Sequence, residues 1–573
     1  MKRLPLSVAA ATGACFLVAC GGQGEPEAAN NPLLRFVPAD TPFLMANLDA
    51  IPAEVTDAYL LRMEPFLDQF QSALHGFRSE LANGQATMND PQAEAVLDAV
   101  LAEFDGKLSR EGLESLGFSL EQMSVVYGHG LFPVLRAGLA DPEAVRAMIA
   151  RVETQSGVPI PEETFQGVNY WRAAGNDSPM GIYVAILDDH FVMSAAPRSR
   201  ESEFLPRLLA LETPPNPLAP ATLAELNRDK GFAPYGSGYI DLDRVVDELF
   251  EDDSLTTTWM MDMGDFDPAT IDPSCEREAR LVTSFVPRMV AGTTEVTSDR
   301  VGVRYQLETN AWLGGELARL VGDVPPASTD ATRMANFSLN LQMGRVATFM
   351  RESANAMAAI PFQCPQLQDL NAQVQQMAQA LNQPMPPFIG NLKGVRVEMS
   401  EFDTSDVNPG NLRGLVALEM ESPQMVIGMA SMMIPGFEEL QIEPGGDPVE
   451  VPQEIMTLVT PEFEVYAVMS KDAIGLSLGK GEKAGLKEFL EASGDADGIF
   501  LSADYDAGQL ARMQRQQMEA YDDHFDAEPT SNSNVSMDVE AMTKAYEAML
   551  GRARFEMRFT EDGLTIDNTQ EFR

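Results

Sequence analysis

Two kinds of pattern alternate along this chain. Apolar residues three and four apart over long windows predict amphipathic helices, and short apolar runs bounded by turn formers predict strands. The order of these segments repeats. The first half opens with an extended run, Phe43 to Leu48, then turns helical from about Glu54 to Leu81 and near Ala93 to Phe104. The second half opens with Phe337 to Leu341, then turns helical over Arg345 to Ala358 and Cys364 to Leu381. Asn47-Leu48 and Asn340-Leu341 close the two opening runs and match in the pattern.

Four further blocks recur in the same order. Met123 to Tyr127 and Leu131 to Leu139 read as strands, followed by Asp141-Pro142 and a helix from Glu143 to about Val152; Gly394 to Met399 and Leu412 to Met420 precede Ser422-Pro423 and a helix from Gln424 to Met433. Proline near the first turn is what helix starts prefer. Val168 to Trp171, Gly181 to Leu187 and Phe191 to Ala195 are answered by Ile455 to Val459, Glu464 to Met469 and Ile474 to Leu478, each set followed by a short helix. Gly238 to Leu242 is answered by Ile499 to Asp504. Last, a helix from Glu276 to Val290 leads into Gly292 to Glu295 and Val301 to Glu308, as Val539 to Leu550 leads into Arg552 to Phe559 and Leu564 to Asn568. Strand runs joined by hairpins with helices between them predict an α+β fold. The expectation is a tandem duplication, each copy an antiparallel sheet with helices packed on one face. The join falls near Val324 to Thr332, where Pro325-Pro326 interrupts the pattern. The two sheets could lie side by side or merge edge to edge, which would hide exposed edges.

The N-terminus follows a different rule. Lys2 and Arg3 precede an apolar run, Leu4 to Val18, broken by Pro5, Ser7, Thr12 and Gly13. That is too short for a membrane span and reads as a secretory signal. Its last residues, Leu17-Val18-Ala19-Cys20, resemble the bacterial lipobox. The resemblance implies export, cleavage before Cys20, a diacylglyceryl thioether on that cysteine and N-acylation. Gly21 in place of the Asp that retains such proteins at the inner membrane favours the outer membrane of a two-membrane bacterium. Two or three acyl chains hold firmly where one holds marginally. Gly21 to Asn31 has no large apolar side chain and reads as a flexible leash. The expected organisation is thus leader 1–19, tether 20–32, first repeat 33–328 and second repeat 329–573. Val37 to Pro42 and Tyr127 to Val134 also resemble motifs of a group of secreted bacterial lipoproteins, which carries no chemistry to transfer.

Charge narrows the partners. The 573 residues hold 86 acids and 40 bases, a formal charge of −46, and losing Lys2 and Arg3 with the leader makes it −48. Such a surface repels nucleic acid and anionic head groups, so no nucleic-acid partner is expected. Of four cysteines, Cys15 leaves with the leader and Cys20 takes the lipid. Pairing Cys275 with Cys364 is the economical reading in an oxidising compartment, the alternative being two separately buried thiols. A bridge would close roughly ninety residues and staple the two halves.

No residue is assigned to catalysis, to a cofactor or to a metal. The chain lacks H-E-x-x-H and C-x-x-C pairs. Ser477-Leu478-Gly479-Lys480 matches S-x-x-K but ends a strand, and Gly479-Lys480-Gly481 lacks phosphate-loop spacing. His129 reads as structural, and His75 as packing or surface. The acid clusters at Glu251-Asp252-Asp253, with Asp262, Asp265 and Asp267 around Trp259, and at Tyr521 to Asp526 lack calcium-loop spacing. The first of them, an insertion with an exposed-looking Trp, is the better contact surface. Methionines at Met420 to Met433 and at Met350, Met357 and Met377 suit adaptable apolar surfaces, although core filling is preferred. The expected function is a membrane-anchored, non-enzymatic protein that binds another envelope component. The alternatives are a carrier or chaperone for an apolar ligand, and a hydrolase whose site is assembled from distant residues.

Overall fold

The computed structural model describes residues 31–82, 91–173, 179–262, 270–402, 412–434, 437, 440–452, 455, 464–494, 496–522 and 539–573. Cys20 and most of the expected tether lie outside these. Asn31 does not belong to a leash: it is 4% exposed, and its amide donates to the carbonyls of Asn47 and Ser124 while its oxygen accepts from Leu33 N. The chain is α+β, its sheet strands paired antiparallel, and it divides into two compact units. The first comprises Met1–Ile271, Pro287–Tyr305 and Pro529–Ala545; the second comprises Asp272–Val286, Gln306–Glu528 and Tyr546–Arg573.

The first unit contains β1 (Phe43–Ala46), β2 (Ser124–His129), β3 (Phe132–Gly138), β4 (Glu162–Phe165), β5 (Val168–Ala173), β6 (Met180–Ile186), β7 (His190–Pro197), β8 (Ser237–Asp241) and β9 (Arg288–Val296). Their pairings give the order β4-β5-β6-β7-β3-β2-β1-β8-β9. Local chemistry sets the boundaries. The carboxylate of Asp141 accepts from Glu143 N and Ala144 N to cap the helix Pro142–Ser156, and Gly157, at φ +65°, ends it. The expected helix through Val290 stops at Phe285, because Pro287 has no N–H to continue it, and β9 begins at Arg288. A helical turn Pro32–Phe36 lays Leu33, Leu34 and Phe36 over one face of the sheet, against Leu44, Val125, Tyr127 and Val134. The helix Glu201–Leu208 adds Phe204, Leu205 and Leu208 to the same core.

The unit boundary falls within β10 (Arg300–Glu308). The second unit holds β11 (Ala335–Asn340), β12 (Leu392–Phe402), β13 (Leu412–Met420), β14 (Val449–Glu450), β15 (Val465–Met469), β16 (Ala473–Leu478), β17 (Ile499–Asp506), β18 (Leu550–Thr560) and β19 (Gly563–Phe572). Its order is β14-β15-β16-β13-β12-β11-β17-β18-β19. Eight strands of each unit, β5-β6-β7-β3-β2-β1-β8-β9 and β14-β15-β16-β13-β12-β11-β17-β18, therefore follow one another in the same spatial and chain order. The expected strand Ile455 to Val459 falls mostly outside the described residues; the strand beside β15 is β14.

The helix-facing rows also correspond. Ser237, Ala46, Val125, Arg136 and Val192 lie opposite one another in sequence across the first sheet, as Ser502, Ser338, Arg396, Ala417 and Gly475 do across the second. What covers that row differs. In place of an apolar helical turn, residues 325–333 cross the second sheet with their backbone polar groups satisfied by side chains. Ser338 Oγ donates to Pro325 O at 2.6 Å, Ser502 Oγ accepts from Ala327 N at 2.7 Å, and Asn336 Nδ2 donates to Ser328 O at 2.9 Å.

Candidate functional site

Each unit buries one arginine on this row, from a different strand. Arg136 of β3 is 0% exposed and Arg396 of β12 is 5% exposed. Arg136 faces Val125 across β2 and β3, and Arg396 faces Ala417 across β12 and β13, so the cation and a small partner have exchanged places on the same rung. Both guanidiniums reach carbonyls of the last turn of a helix, where positive charge is favoured. Arg136 Nη2 donates to Arg207 O and Leu208 O at 2.8 and 3.0 Å; Arg396 donates to Phe489 O and Leu490 O at 2.9 and 3.4 Å, at the end of the helix Leu486–Glu491. Both stack on an aromatic face, Phe36 at 4.2 Å and Phe489 at 4.8 Å.

Their remaining partners separate them. Arg396 makes a two-nitrogen contact with Glu419, at 2.9 and 2.6 Å. Burial pushes the Glu419 carboxyl up while Arg396 pulls it down, with a net rise. Arg136 instead donates to His190 Nε2 at 2.9 Å and to the Tyr127 hydroxyl at 3.3 Å. His190 is 1% exposed, and burial holds its pKa down, so the ring is neutral. Accepting at Nε2 leaves Nδ1–H to donate to Asp189 at 2.5 Å. Both ring nitrogens are thereby engaged, and the chain Arg136–His190–Asp189 is a positioning network.

The residues singled out in the sequence are not gathered at one place. His129 is buried against Trp259 and Phe204, with ring centroids 5.5 and 6.3 Å away; burial and the neighbouring Arg207 lower its pKa to about 4. Trp259 is not a surface residue: at 2% exposed it packs in the core of the first unit, from the helix Leu255–Asp262, and Asp262 pairs with Arg200. An indole this large repays burial more than the acidic loop around it can offset. Asp265, Asp267 and Asp523 to Asp526 lie outside the described residues. Ser477 is buried within β16 and Lys480 is exposed beyond it. His75 lies within the helix Ala53–Ala82. Among the described residues no three His, Cys, Asp or Glu side chains are grouped to hold a metal ion. Cys275 and Cys364 form the expected disulfide; it joins the sequence repeats 33–328 and 329–573, while both cysteines belong to the second compact unit.

The methionines depart most from expectation. Met420 fills core, but Met350, Met357, Met377, Met425, Met432 and Met433 are exposed, the last two at 81%. They stand on helices of the second unit, Met343–Ala359, Gln368–Leu381 and Pro423–Met433, together with exposed Ile360 and Phe388. A signal for this was present in the sequence. Between Glu352 and Lys393 the only charged residue is Asp369, and Ser422 to Phe437 has none, in a chain with 126 charged side chains.

The fold and these features define a class no narrower than an α+β chain of antiparallel sheets with a charge-poor helical surface. Comparison of the chain with protein-family models, with curated proteins and with solved structures finds no match.

Proposed function

We propose that the chain is a membrane-anchored, non-enzymatic envelope lipoprotein, lipidated at Cys20, whose body arose by tandem duplication and binds another envelope component. Duplication is supported by the shared order of eight strands and by the matched rows that each hold one arginine reaching a helix end. The observation that carries binding is the charge-poor methionine surface of the second unit. Large contiguous apolar patches are uncommon on a monomer, and charge depletion with methionine enrichment is the composition of interface cores. A second reading, carriage of an apolar ligand, is favoured by Met45, Ile240 and Met289, exposed side chains of β1, β8 and β9 in the first unit.

Incorporation of labelled palmitate into the wild-type chain and not into Cys20→Ala tests the anchor. Organic extraction of the purified protein with mass spectrometry separates the readings: a co-purified apolar molecule in stoichiometric amount favours carriage, an empty protein favours binding.

A further inference from the structure

We propose that the charge-poor helical surface of the second unit is a bilayer-contact surface, with Ile360, Phe388, Met432 and Met433 seated in the interfacial region of the membrane that holds Cys20. The proposal rests on the anchoring reading above and adds which face of the body meets the lipid.

The exposed side chains form a pattern. On the helix Met343–Ala359 the exposed Met350 and Met357 are seven residues apart, two turns along one face, and on Gln368–Leu381 the exposed Leu370 and Met377 repeat that spacing. The elements are joined. Asn355 and Asn382 exchange side-chain hydrogen bonds at 3.3 and 2.9 Å, and Asn391, just after Phe388, donates to Met425 Sδ at 3.9 Å. Ile360, at 80% exposed, sits beside a connection pinned by the Cys275–Cys364 disulfide and by Glu278, whose carboxylate accepts from Gln363 N and Cys364 N at 2.6 and 3.2 Å. The apolar tips are thus presented by a braced scaffold.

Electrostatics chooses the occupant. A chain of −46 is repelled by anionic head groups wherever its charges face them, and a charge-poor face, here with Arg345, Glu352 and Asp369 as its exposed charges on the two methionine helices, approaches at less cost. The helix of the first unit at the matching place, Pro142–Ser156, carries Glu143, Arg146, Arg151 and Glu153, whereas Pro423–Met433 carries no charge. The described chain begins at Asn31, eleven residues after Cys20, a span of about 35–40 Å when extended. A lipidated body is therefore held permanently at the bilayer, and amphipathic apolar area placed there partitions into the interface.

The test uses the full lipidated chain in phosphatidylcholine vesicles. Single thiols are introduced as Ile360→Cys, Met433→Cys and, on the charged helix, Thr154→Cys, then labelled with a polarity-sensitive dye. The expected result is a blue shift and quenching by brominated acyl chains at 360 and 433, and neither at 154. Met432→Asp with Phe388→Asp, changes at exposed positions, should abolish the shift at 360. Water-like emission at all three positions in protein that co-floats with vesicles overturns this proposal alone, leaving the surface to a protein partner. A chain that does not co-float overturns the anchoring reading and the proposal with it.

Discussion

The two units share a strand order and differ in what they put on the same row of their sheets. In the first unit the row is Ala46, Val125, Arg136 and Val192 under an apolar turn; in the second it is Ser338, Arg396, Ala417 and Gly475 under a hydrogen-bonded strap. The comparison teaches that the architecture requires a cation at the helix end and leaves its source free. It also shows two solutions to burying a guanidinium, one against neutral acceptors and one against a carboxylate.

The largest way to break the correspondence is through the bridge. Cys275→Ser with Cys364→Ser opens a span of 89 residues and should cost the second unit about 4–5 kcal/mol by loop entropy, leaving the first unchanged. Hydrogen exchange resolved by peptide reads both units in one experiment; equal loss in both would sink the assignment of the bridge to one unit. Next come the arginines. Arg396→Met strands the buried Glu419 and should cost about 3–5 kcal/mol, more than Arg136→Met, which leaves neutral acceptors. Arg396→Met combined with Glu419→Leu should recover most of that loss, measured by urea unfolding; no recovery would mean the pair is not the source.

Acid sharpens the contrast further. His129 and His190 bind a proton more weakly folded than unfolded, so the stability tied to their neutral forms is complete above about pH 6.5 and is lost as pH falls toward their lower folded values. For His129, whose folded value is about 4, the loss approaches about 3 kcal/mol near pH 4. Glu398 and Glu419 are displaced the other way, upward by burial, so the second unit gains as pH falls through their folded values. Exchange protection at pH 7 and pH 5, corrected for intrinsic rates, should fall in the first unit and hold in the second, and His129→Leu should flatten the first unit's response. The smallest effect concerns four serines. Ser502 and Ser194 hydrogen-bond Ala327 N and Pro133 O, whereas buried Ser237 and Ser477 Oγ have no partner among the described residues. Alanine at 502 or 194 should cost about 1–2 kcal/mol, and at 237 or 477 nothing or a slight gain.

Much of the architecture was legible because turn chemistry is local. Asp141-Pro142 and Ser422-Pro423 do start the helices Pro142–Ser156 and Pro423–Met433, and the strand runs from Gly394 and Leu412 match β12 and β13 closely. Register was not legible. Asn47 and Asn340 match as letters, yet the rungs set Ala46 opposite Val125 and Ser338 opposite Arg396, one residue away, and a one-residue slip reverses every side chain. The buried arginines escaped for a related reason: they sit on neighbouring strands, and a charged residue in a strand reads as solvent-facing until the helix end above it is known. Methionines on a helix do not announce which face is covered, and only the missing charges around them carried that information.

The helix Pro273–Phe285, which supplies Cys275, belongs to the second unit, while the very next strand returns to the first. Synthesis from the N-terminus therefore cannot complete one body before starting the other. The thiol of Cys275 must wait while β9 finds its place, until Cys364 appears 89 residues later. A gene cut at the apparent seam would release two fragments, each lacking a piece carried by its neighbour.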